Sequence, residues 1–247
     1  LPGRSAPARR HRRRRRRRRG LWVFLVCLTV TLGIAAGTLA WSLLRPRETG
    51  GGVGGREEAE PREITIPVYP TGEGARLEVT ADHGEALTIQ EIYRQVNPSV
   101  VTVLAQLEGK ASVGTGVIFR SDGYILTNYH VLEGAQSCTV ALDTGQTFSA
   151  RYAAGDAYND LAVLKVDLTG LPTAVFGDSD QLSVGDSVYA IGNPLGVELR
   201  GTLTDGIVSA INRDVWVNGR TLTLIQTNAA LNSGNSGGPL INQYGQV

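Results

Sequence analysis

The chain has 247 residues, of which 24 are basic, 23 are acidic and 42% are hydrophobic, so it is neither an extreme-charge protein nor disordered by composition. Its two cysteines exclude a scaffold held together by several disulfides. The near-zero net charge hides an asymmetry, because residues 1–47 hold 13 arginines and no acid, whereas residues 48–247 hold 11 basic residues against all 23 acids.

The first feature along the chain is a run of eight consecutive arginines at residues 12–19. Taken alone, such a run indicates a nucleic-acid-binding tail or a nuclear signal. It is followed by 24 residues without a charge, from Leu21 to Leu44, with Trp22 and Trp41 near the two ends. As a helix this stretch would extend about 36 Å, which exceeds a hydrocarbon layer of about 30 Å, and tryptophan favours the membrane interface.

We therefore expect a cytoplasmic arginine-rich tail at residues 1–20 and a transmembrane signal-anchor helix at residues 21–44. Because positive charge stays on the cytoplasmic side, the protein would be single-pass in the cell membrane, with its body outside the cytoplasm. This interpretation leaves no nucleic-acid partner. Two alternatives stay open for the apolar stretch: a buried core helix, and a signal peptide cleaved at the small residues Ala35-Ala36-Gly37.

Residues 45–87 have the composition of a tether. Five glycines and one valine lie between Gly50 and Gly55. Acidic residues and prolines follow, at Glu57, Glu58, Glu60, Glu63, Pro61, Pro67 and Pro70. Chains of this composition bury no core, so the prediction is a flexible spacer between the membrane and the folded body.

The body begins at about residue 88 with a short helix, because Ile89, Ile92 and Val96 share one helical face ahead of Pro98. Short β-branched runs separated by turn signals then follow, at 100–105, 113–119, 124–128, 138–142, 148–153, 161–166, 187–191, 203–211, 221–227 and 239–241. With no long helical period between them, the runs predict an all-β fold of two small antiparallel barrels, at residues 88–170 and 171–247.

The strongest chemical signal is Ser236, in the string Gly234-Asn235-Ser236-Gly237-Gly238-Pro239. Glycines on both sides permit a tight turn that exposes the hydroxyl and aims backbone N–H groups at one point. A plain glycine-rich turn would have the same composition. The α/β-hydrolase nucleophile elbow also fits the string, but it needs an acid and a histidine downstream, and the 11 residues after Ser236 include neither.

A serine nucleophile needs a base, and His130 is the only histidine of the predicted body. The other two, His11 and His83, lie in the arginine tail and the tether. A third group should orient the imidazole. Asp160 lies where a loop enters a predicted strand, and Asp156, four residues earlier, is the competing acid; their spacing alone does not decide between them.

Three segments together resemble the catalytic segments of the HtrA/Deg-type serine proteases: Thr127-Asn128-Tyr129-His130-Val131, Asn159-Asp160-Leu161-Ala162-Val163 and Gly234-Asn235-Ser236-Gly237-Gly238. Supporting matches are Asn97-Pro98-Ser99-Val100-Val101, Gly114-Thr115-Gly116-Val117-Ile118, Ala190-Ile191-Gly192-Asn193-Pro194 and Gln226-Thr227. The resemblance extends from about Ile89 to the last residue. It selects Asp160 over Asp156, because the family's acid directly precedes the Leu-Ala-Val strand.

The resemblance implies a chymotrypsin-like fold and a membrane-anchored extracytoplasmic serine endopeptidase that cleaves unfolded or damaged proteins. It implies catalysis by His130, Asp160 and Ser236, an oxyanion hole at Gly234, Asn235 and Ser236, no cofactor and no metal. It also admits a homotrimeric assembly. Cys138 is expected to be a buried apolar residue, out of reach of Cys27 in the apolar stretch, so no disulfide is predicted.

The chain departs from the family pattern at Asn228, where an aspartate is usual, and at Ser233, where a proline is common. The chain also stops at Val247, where the family continues. We therefore expect an incomplete gene product, with the rest of the second barrel and any PDZ domain absent from this chain and supplied by its natural extension. These departures motivate an alternative function, a catalytically inactive protease-fold module that binds or senses a polypeptide.

Overall fold

The computed structural model describes residues 62–70, 76–81, 83–193, 200–217 and 220–247. The predicted arginine tail at 1–20, the predicted transmembrane helix at 21–44 and the first part of the tether, 45–61, lie outside the described residues. Within the described ranges, no helix is both long and apolar enough to cross a membrane.

The first half of the body is a closed antiparallel barrel of six strands. In space the strands follow the order β2-β3-β4-β7-β6-β5, and β5 closes the barrel by pairing with β2. Their bounds are β2 Val100–Leu107, β3 Lys110–Arg120, β4 Tyr124–Thr127, β5 Ala135–Ala141, β6 Thr147–Asp156 and β7 Leu161–Lys165. Side chains alternate across each strand, and the inward set, which includes Val103, Ile118, Ile125 and Leu164, is almost fully buried.

The second half is an open sheet of four antiparallel strands in the order β11-β10-β9-β12. The bounds are β9 Ser187–Gly192, β10 Thr202–Val217, β11 Arg220–Thr227 and β12 Leu240–Asn242. Two shorter strands, β1 Val79–Thr80 and β8 Phe176–Gly177, pair in parallel beside it. The predicted all-β, chymotrypsin-like architecture is confirmed, with a closed six-stranded barrel and a half-barrel.

Helix α1, Ile89–Val96, precedes the first barrel as predicted. A capping box starts it: the Thr88 hydroxyl accepts the Glu91 N–H at 3.3 Å, and the Glu91 carboxylate accepts the Thr88 N–H at 2.9 Å. Its buried residues Ile92 and Val96 pack with Ile191 and Ile241 in the core of the open sheet. The helix therefore closes one side of the second half of the body.

Part of the predicted tether packs on the first barrel. Ile66 is 1% exposed and belongs to the barrel core. The segment is held by backbone bonds, from Thr65 N–H to the Ala135 carbonyl at 2.9 Å and from Tyr69 N–H to the Tyr152 carbonyl at 2.8 Å. The alternating apolar residues of this segment carry a strand-like signal that the glycine, acid and proline content of 45–87 obscures, so residues 62–70 are not a free spacer.

Candidate active site

His130 lies on a single helical turn, α2, that follows strand β4 and spans Tyr129–Leu132. The next two residues, Val131 and Leu132, are 2% and 0% exposed and anchor the turn in the barrel core. The imidazole side chain, by contrast, is 53% exposed. The apolar half of the turn thus fixes the backbone, and the polar half points the imidazole outward.

Asp160 contacts His130 through both of its carboxylate oxygens. Oδ1 accepts the backbone N–H of His130 at 2.9 Å, and Oδ2 lies 2.8 Å from His130 Nδ1. The Asp160 carbonyl accepts the side-chain amide of Asn128 at 2.9 Å and the N–H of Tyr129 at 3.2 Å. The contact follows from the sheet, because β4 pairs with β7 as far as Thr127 and Ala162, which places the end of one strand beside the start of the other.

The backbone of Asp160 has a φ of 56°, in the left-handed region. Aspartate and asparagine enter this region more readily than most residues, because their short side chains can hydrogen-bond locally. Here the left-handed turn aims the carboxylate at His130 while its carbonyl is held by Asn128 and Tyr129. Four hydrogen bonds thus hold the acid in one orientation.

The hydrogen bond between the two side chains shifts both pKa values. It raises the pKa of His130 above its ordinary value; partial burial opposes the rise, and the charges of Asp160 and Glu133 add to it. Partial burial would raise the pKa of Asp160, but hydrogen bonds from the ring and backbone of His130, with the charges of His130 and Arg220, lower it overall. An ionised Asp160 holds the proton on Nδ1 and leaves Nε2 free to act as a base.

Asp156, the competing acid, does not reach His130. Its Oδ1 accepts the backbone N–H groups of Tyr158 at 2.8 Å and Asn159 at 3.1 Å. The side-chain amide of Asn159 also donates to Asp156, and this bond is the largest cause of the lowered pKa of Asp156; the two backbone bonds lower it further. Of the two carboxylates that spacing left open, the structure brings Asp160 to the histidine and uses Asp156 to shape the turn.

Ser236 lies against strand β3, beside the turn that carries His130. Its carbonyl accepts the Thr115 N–H at 2.8 Å. A Cβ atom at Gly114 would approach Val131 to 2.8 Å and the Ser236 carbonyl to 3.0 Å, so both segments pack on the same glycine. Within the described residues no hydrogen bond joins Ser236 Oγ to His130; such bonds often tighten only when substrate binds.

Gly237 allows the nucleophile turn, residues 232–238, to fit this closely. Its φ is 82°, and a Cβ atom there would lie 2.3 Å from both the Thr115 carbonyl and the Thr127 hydroxyl. Any side chain would therefore push the turn away from the end of β4. The glycine after the serine is required by this contact and by its backbone angle.

The N–H groups of Gly234 and Ser236 are among the backbone donors of the nucleophile turn that have no acceptor within the described residues. The N–H of Asn235, between them, donates to the Asn232 carbonyl at 3.0 Å. Of the three residues predicted to form an oxyanion hole, Asn235 therefore has its N–H already engaged. The other two can bind an oxygen that gains negative charge.

Sequence reasoning missed two neighbours of this site. The first is Arg220 on β11, whose Nη1 donates to the Ala157 carbonyl and whose guanidinium lies 5.8 Å from the Tyr158 ring centroid. A single arginine in a hairpin gives no sequence signal for such a contact. The second is Arg62, whose N–H donates to Glu133 at 3.0 Å and which lines a cleft of about 260 Å³ beside His130.

The unusual residue Asn228 fits its surroundings. Its Oδ1 accepts the backbone N–H of Ile207 at 2.8 Å, which ties the segment after β11 to β10. An amide oxygen accepts this bond as a carboxylate would. Among the residues that the structure describes, no group of three or more His, Cys, Asp or Glu side chains could hold a metal ion.

Residues 114–247 match the family model of the trypsin-like peptidase domain. Over 201 residues the chain is 40% identical to a "probable periplasmic serine endoprotease DegP-like" of Halomonas elongata, covering 77% of this chain and 41% of that protein. Over 141 residues it is 48% identical to "serine protease Do-like HtrB" of Bacillus subtilis, covering 54% of this chain and 31% of the relative. The chain thus spans less than half of the length of these curated relatives.

Two solved structures have a similar fold. The "HtrA-type protease AlgW with tripeptide" matches with a TM-score of 0.61 and 38% identity, over 65% of this chain and 52% of that chain. Deg5 matches with a TM-score of 0.56 and 37% identity, over 65% of this chain and 84% of that chain. Sequence and fold comparisons therefore agree with each other.

Proposed function

We propose that the chain, which belongs to the trypsin-like peptidase family and to its HtrA/Deg-type serine proteases, is a serine endopeptidase. The observation that carries the proposal is the pair His130–Asp160, with Nδ1 on the carboxylate at 2.8 Å and the turn of Ser236 packed on the same barrel. A histidine oriented by a carboxylate, with a serine turn packed beside it, supports general-base activation of Ser236 in the substrate complex.

In the proposed reaction, Ser236 Oγ attacks the carbonyl carbon of a peptide bond, and His130 Nε2 takes the hydroxyl proton. The carbonyl oxygen becomes an oxyanion that accepts hydrogen bonds from the N–H groups of Gly234 and Ser236. The tetrahedral intermediate then expels the amine, to which His130 returns the proton, and an acyl-enzyme remains. Water, deprotonated by His130, then attacks the ester carbonyl. The resulting intermediate breaks its bond to Ser236 Oγ, which regains a proton from His130 as the new carboxyl terminus leaves.

Asp160 contributes by holding the imidazole rather than by taking the proton. Its carboxylate fixes the tautomer with the proton on Nδ1 and stabilises the imidazolium that forms at each proton transfer. The raised pKa of His130 expresses the same stabilisation, because the hydrogen bond to Asp160 favours the charged ring.

For the substrate we propose unfolded or damaged proteins outside the cytoplasm. Two observations on relatives support this: one is called a periplasmic endoprotease, and AlgW structures hold a tripeptide or a decapeptide. The exposed imidazole, on an open surface, suits an extended polypeptide. A homotrimer remains part of the proposal through the family resemblance alone.

For the location we propose a single-pass protein anchored by residues 21–44, with the arginine tail in the cytoplasm. The support is the length of the uncharged stretch and the arginines on one side of it. Membrane fractionation with protease protection of the arginine tail tests it: an anchored protein sediments with membranes and keeps its tail protected. Recovery of a soluble, cleaved form would favour the signal-peptide alternative.

The catalytic proposal is tested with a fluorophosphonate probe and with casein as an unfolded substrate. The intact chain should label at Ser236 and digest casein, and Ser236→Ala should abolish both. Ser137→Ala, an exposed serine on β5, serves as the matched control and should leave labelling unchanged. Casein binding by the wild-type chain without labelling would instead favour the binding-module alternative, and activity that survives Ser236→Ala would overturn the triad.

A further inference from the structure

The hydrogen bonds of Thr115 connect the first barrel to the nucleophile turn at two points. Thr115 lies on β3 and is 0% exposed. Its N–H donates to the Ser236 carbonyl at 2.8 Å, and its hydroxyl donates to the Gly234 carbonyl at 2.6 Å across a sequence separation of 119 residues. One residue of the barrel thus holds the turn by hydrogen bonds on both sides of Asn235.

The remaining polar groups of Thr115 are also used. Its hydroxyl oxygen accepts the N–H of Asn193, which follows β9, at 3.1 Å, and its carbonyl accepts the Thr127 hydroxyl at 2.7 Å. The side-chain methyl packs against Gly238, where a Cβ atom would approach it to 3.1 Å. The hydroxyl thus joins strand β3, the nucleophile turn and the loop after β9 at a fully buried position.

These bonds fix the direction of successive peptide groups, because the N–H and C=O of a trans peptide point in opposite directions. The group between Gly234 and Asn235 has its carbonyl on Thr115 and its N–H on Asn232, at 3.0 Å. The next group has its carbonyl on the Gly238 N–H at 2.8 Å, which turns the Ser236 N–H the other way. The Ser236 carbonyl is again on Thr115.

We propose that Thr115 is a positioning residue for the oxyanion site, and this inference rests on the proposed function. Its hydroxyl fixes the Gly234–Asn235 peptide group, which lies between the two peptide groups that carry the Gly234 and Ser236 N–H donors, and so keeps both donors facing the oxygen that becomes negative. Donors that are already aimed need no reorganisation when the charge develops, so loosening this hold weakens binding of the transition state more than binding of the substrate.

Three variants separate this role from simple packing. Thr115→Val keeps the shape of the side chain and removes the hydroxyl, and Thr115→Ser keeps the hydroxyl. Thr102→Val is the matched control, because Thr102 pairs with Thr115 across β2 and β3, is 1% exposed, and its hydroxyl has no partner within the described residues.

With a peptide substrate and active-site titration, Thr115→Val should lower kcat by about 10- to 100-fold with KM within about twofold, less than the loss of a direct oxyanion donor. Its affinity for a peptide boronate, which forms a tetrahedral adduct, should fall by the same factor. Thr115→Ser should recover most of the rate, and Thr102→Val should match the wild type. Normal kcat per titrated site in Thr115→Val, with only lower stability, would overturn the proposal.

A second measurement does not depend on catalysis and separates failure of this inference from failure of the proposed function. Hydrogen exchange of the Asn235 N–H should accelerate about 10-fold in Thr115→Val and stay unchanged in Thr102→Val, because its peptide group loses the bond at Gly234. Equal exchange in all variants would overturn the positioning role, even in a chain that proves inactive towards fluorophosphonate.

Discussion

The two halves of the body differ in how their sheets end. The first barrel closes on itself, so none of its six strands has a free edge, and its core contains 17 buried residues. The second half is an open sheet with β11 and β12 at its edges, and among the described residues its main buried cluster has five members, two of them supplied by helix α1. The closed half supports itself, whereas the open half depends on its neighbours.

The proposed catalytic groups are divided along the same line. His130 and Asp160 belong to the closed barrel, where they fix each other through two hydrogen bonds. Ser236 comes from the open half, and its turn is held by bonds from the barrel residue Thr115. The closed half thus provides the proposed acid and base and also the surface on which the proposed nucleophile is held. The predictions below test this division.

The largest expected effect is that of Asp160→Asn. Asparagine accepts the left-handed backbone, so the fold should persist. With its amide oxygen on the His130 N–H, however, its NH2 group would face Nδ1 and disfavour the Nδ1–H tautomer, and a neutral amide does not stabilise imidazolium. We expect kcat/KM to fall about 10⁴-fold. Asp156→Asn, in the same loop, should change it less than about threefold, and similar losses in the two variants would break the assignment of the acid.

Core truncation should distinguish the two halves by stability. Ile125 on β4 and Ile241 on β12 are both 0% exposed. Substitution by alanine at such sites costs about 2–5 kcal/mol, depending on how far the surroundings collapse into the cavity. The closed barrel cannot move inward, so Ile125→Ala should fall in the upper part of this range and Ile241→Ala, on an edge strand, in the lower part. Urea unfolding measures both, and the reverse order would contradict the comparison.

Thiol labelling should report how often each half opens. Cys138 on β5 is 4% exposed, and burial raises its pKa to about 12, so it reacts only when the barrel opens. In a Cys27→Ser background, labelling at pH 8 should be slow. A cysteine at Ala190 of β9, also 4% exposed, introduced by Ala190→Cys with Cys138→Ala, should label at least about 10-fold faster. Equal rates would show that the open half is as closed to solvent as the barrel.

The pH dependence of labelling by fluorophosphonate should reflect the raised pKa of His130. Reaction requires the neutral ring, so the rate should rise with pH through a pKa above the ordinary value near 6.5. In Asp160→Asn the midpoint should move to lower pH, because the hydrogen bond that His130 donates to Asp160 is the largest cause of the raised pKa. An unchanged midpoint would mean that Asp160 does not govern the imidazole.

The same pair links stability to pH with two signs. Because the folded pKa of His130 is raised, its contribution is complete below about pH 6.5 and is lost as pH rises through the folded pKa. Because the folded pKa of Asp160 is lowered, its contribution is present above about pH 4 and is lost as pH falls through the folded pKa. The difference in urea midpoint between wild type and Asp160→Asn should therefore be largest between these limits.

The smallest effect is expected at the start of helix α1. Thr88→Ala removes the side chain that accepts the Glu91 N–H and should cost about 1 kcal/mol of unfolding free energy, with kcat unchanged. Glu91→Gln keeps a partner for the Thr88 N–H and should cost less. A loss of kcat in either variant would show that the helix affects the active site as well as the small core it covers.

The strands were largely predictable from sequence because short β-branched runs bounded by turn signals mark them in both halves, and each predicted run overlaps a strand. The main error is at β10, predicted over 203–211 and observed over Thr202–Val217. The polar residues Asn212, Arg213 and Asp214 end the apolar pattern, but pairing with β11 continues past an irregularity in register at this point.

For the site, the chemistry restricted the choice of residues, since a serine, a base and an acid must occur together and the body has one histidine. The distant partners could not be predicted in this way. The packing of Ile66 and the contact from Arg220 to the loop of Asp160 join segments far apart in sequence, and nothing in their local composition identifies the partner.

The position of the barrel in the chain also sets the order in which the reactive parts are made. Its last strand ends at Lys165, and Ser236 is synthesised 71 residues later. Domains generally fold as units from the N-terminal side while the chain is still emerging. Base and acid can therefore be assembled before the proposed nucleophile is synthesised. While the barrel is still unfolded on the ribosome, the chain carries no Ser236 that could cut it. An unfolded chain of this kind is the proposed substrate of the finished enzyme.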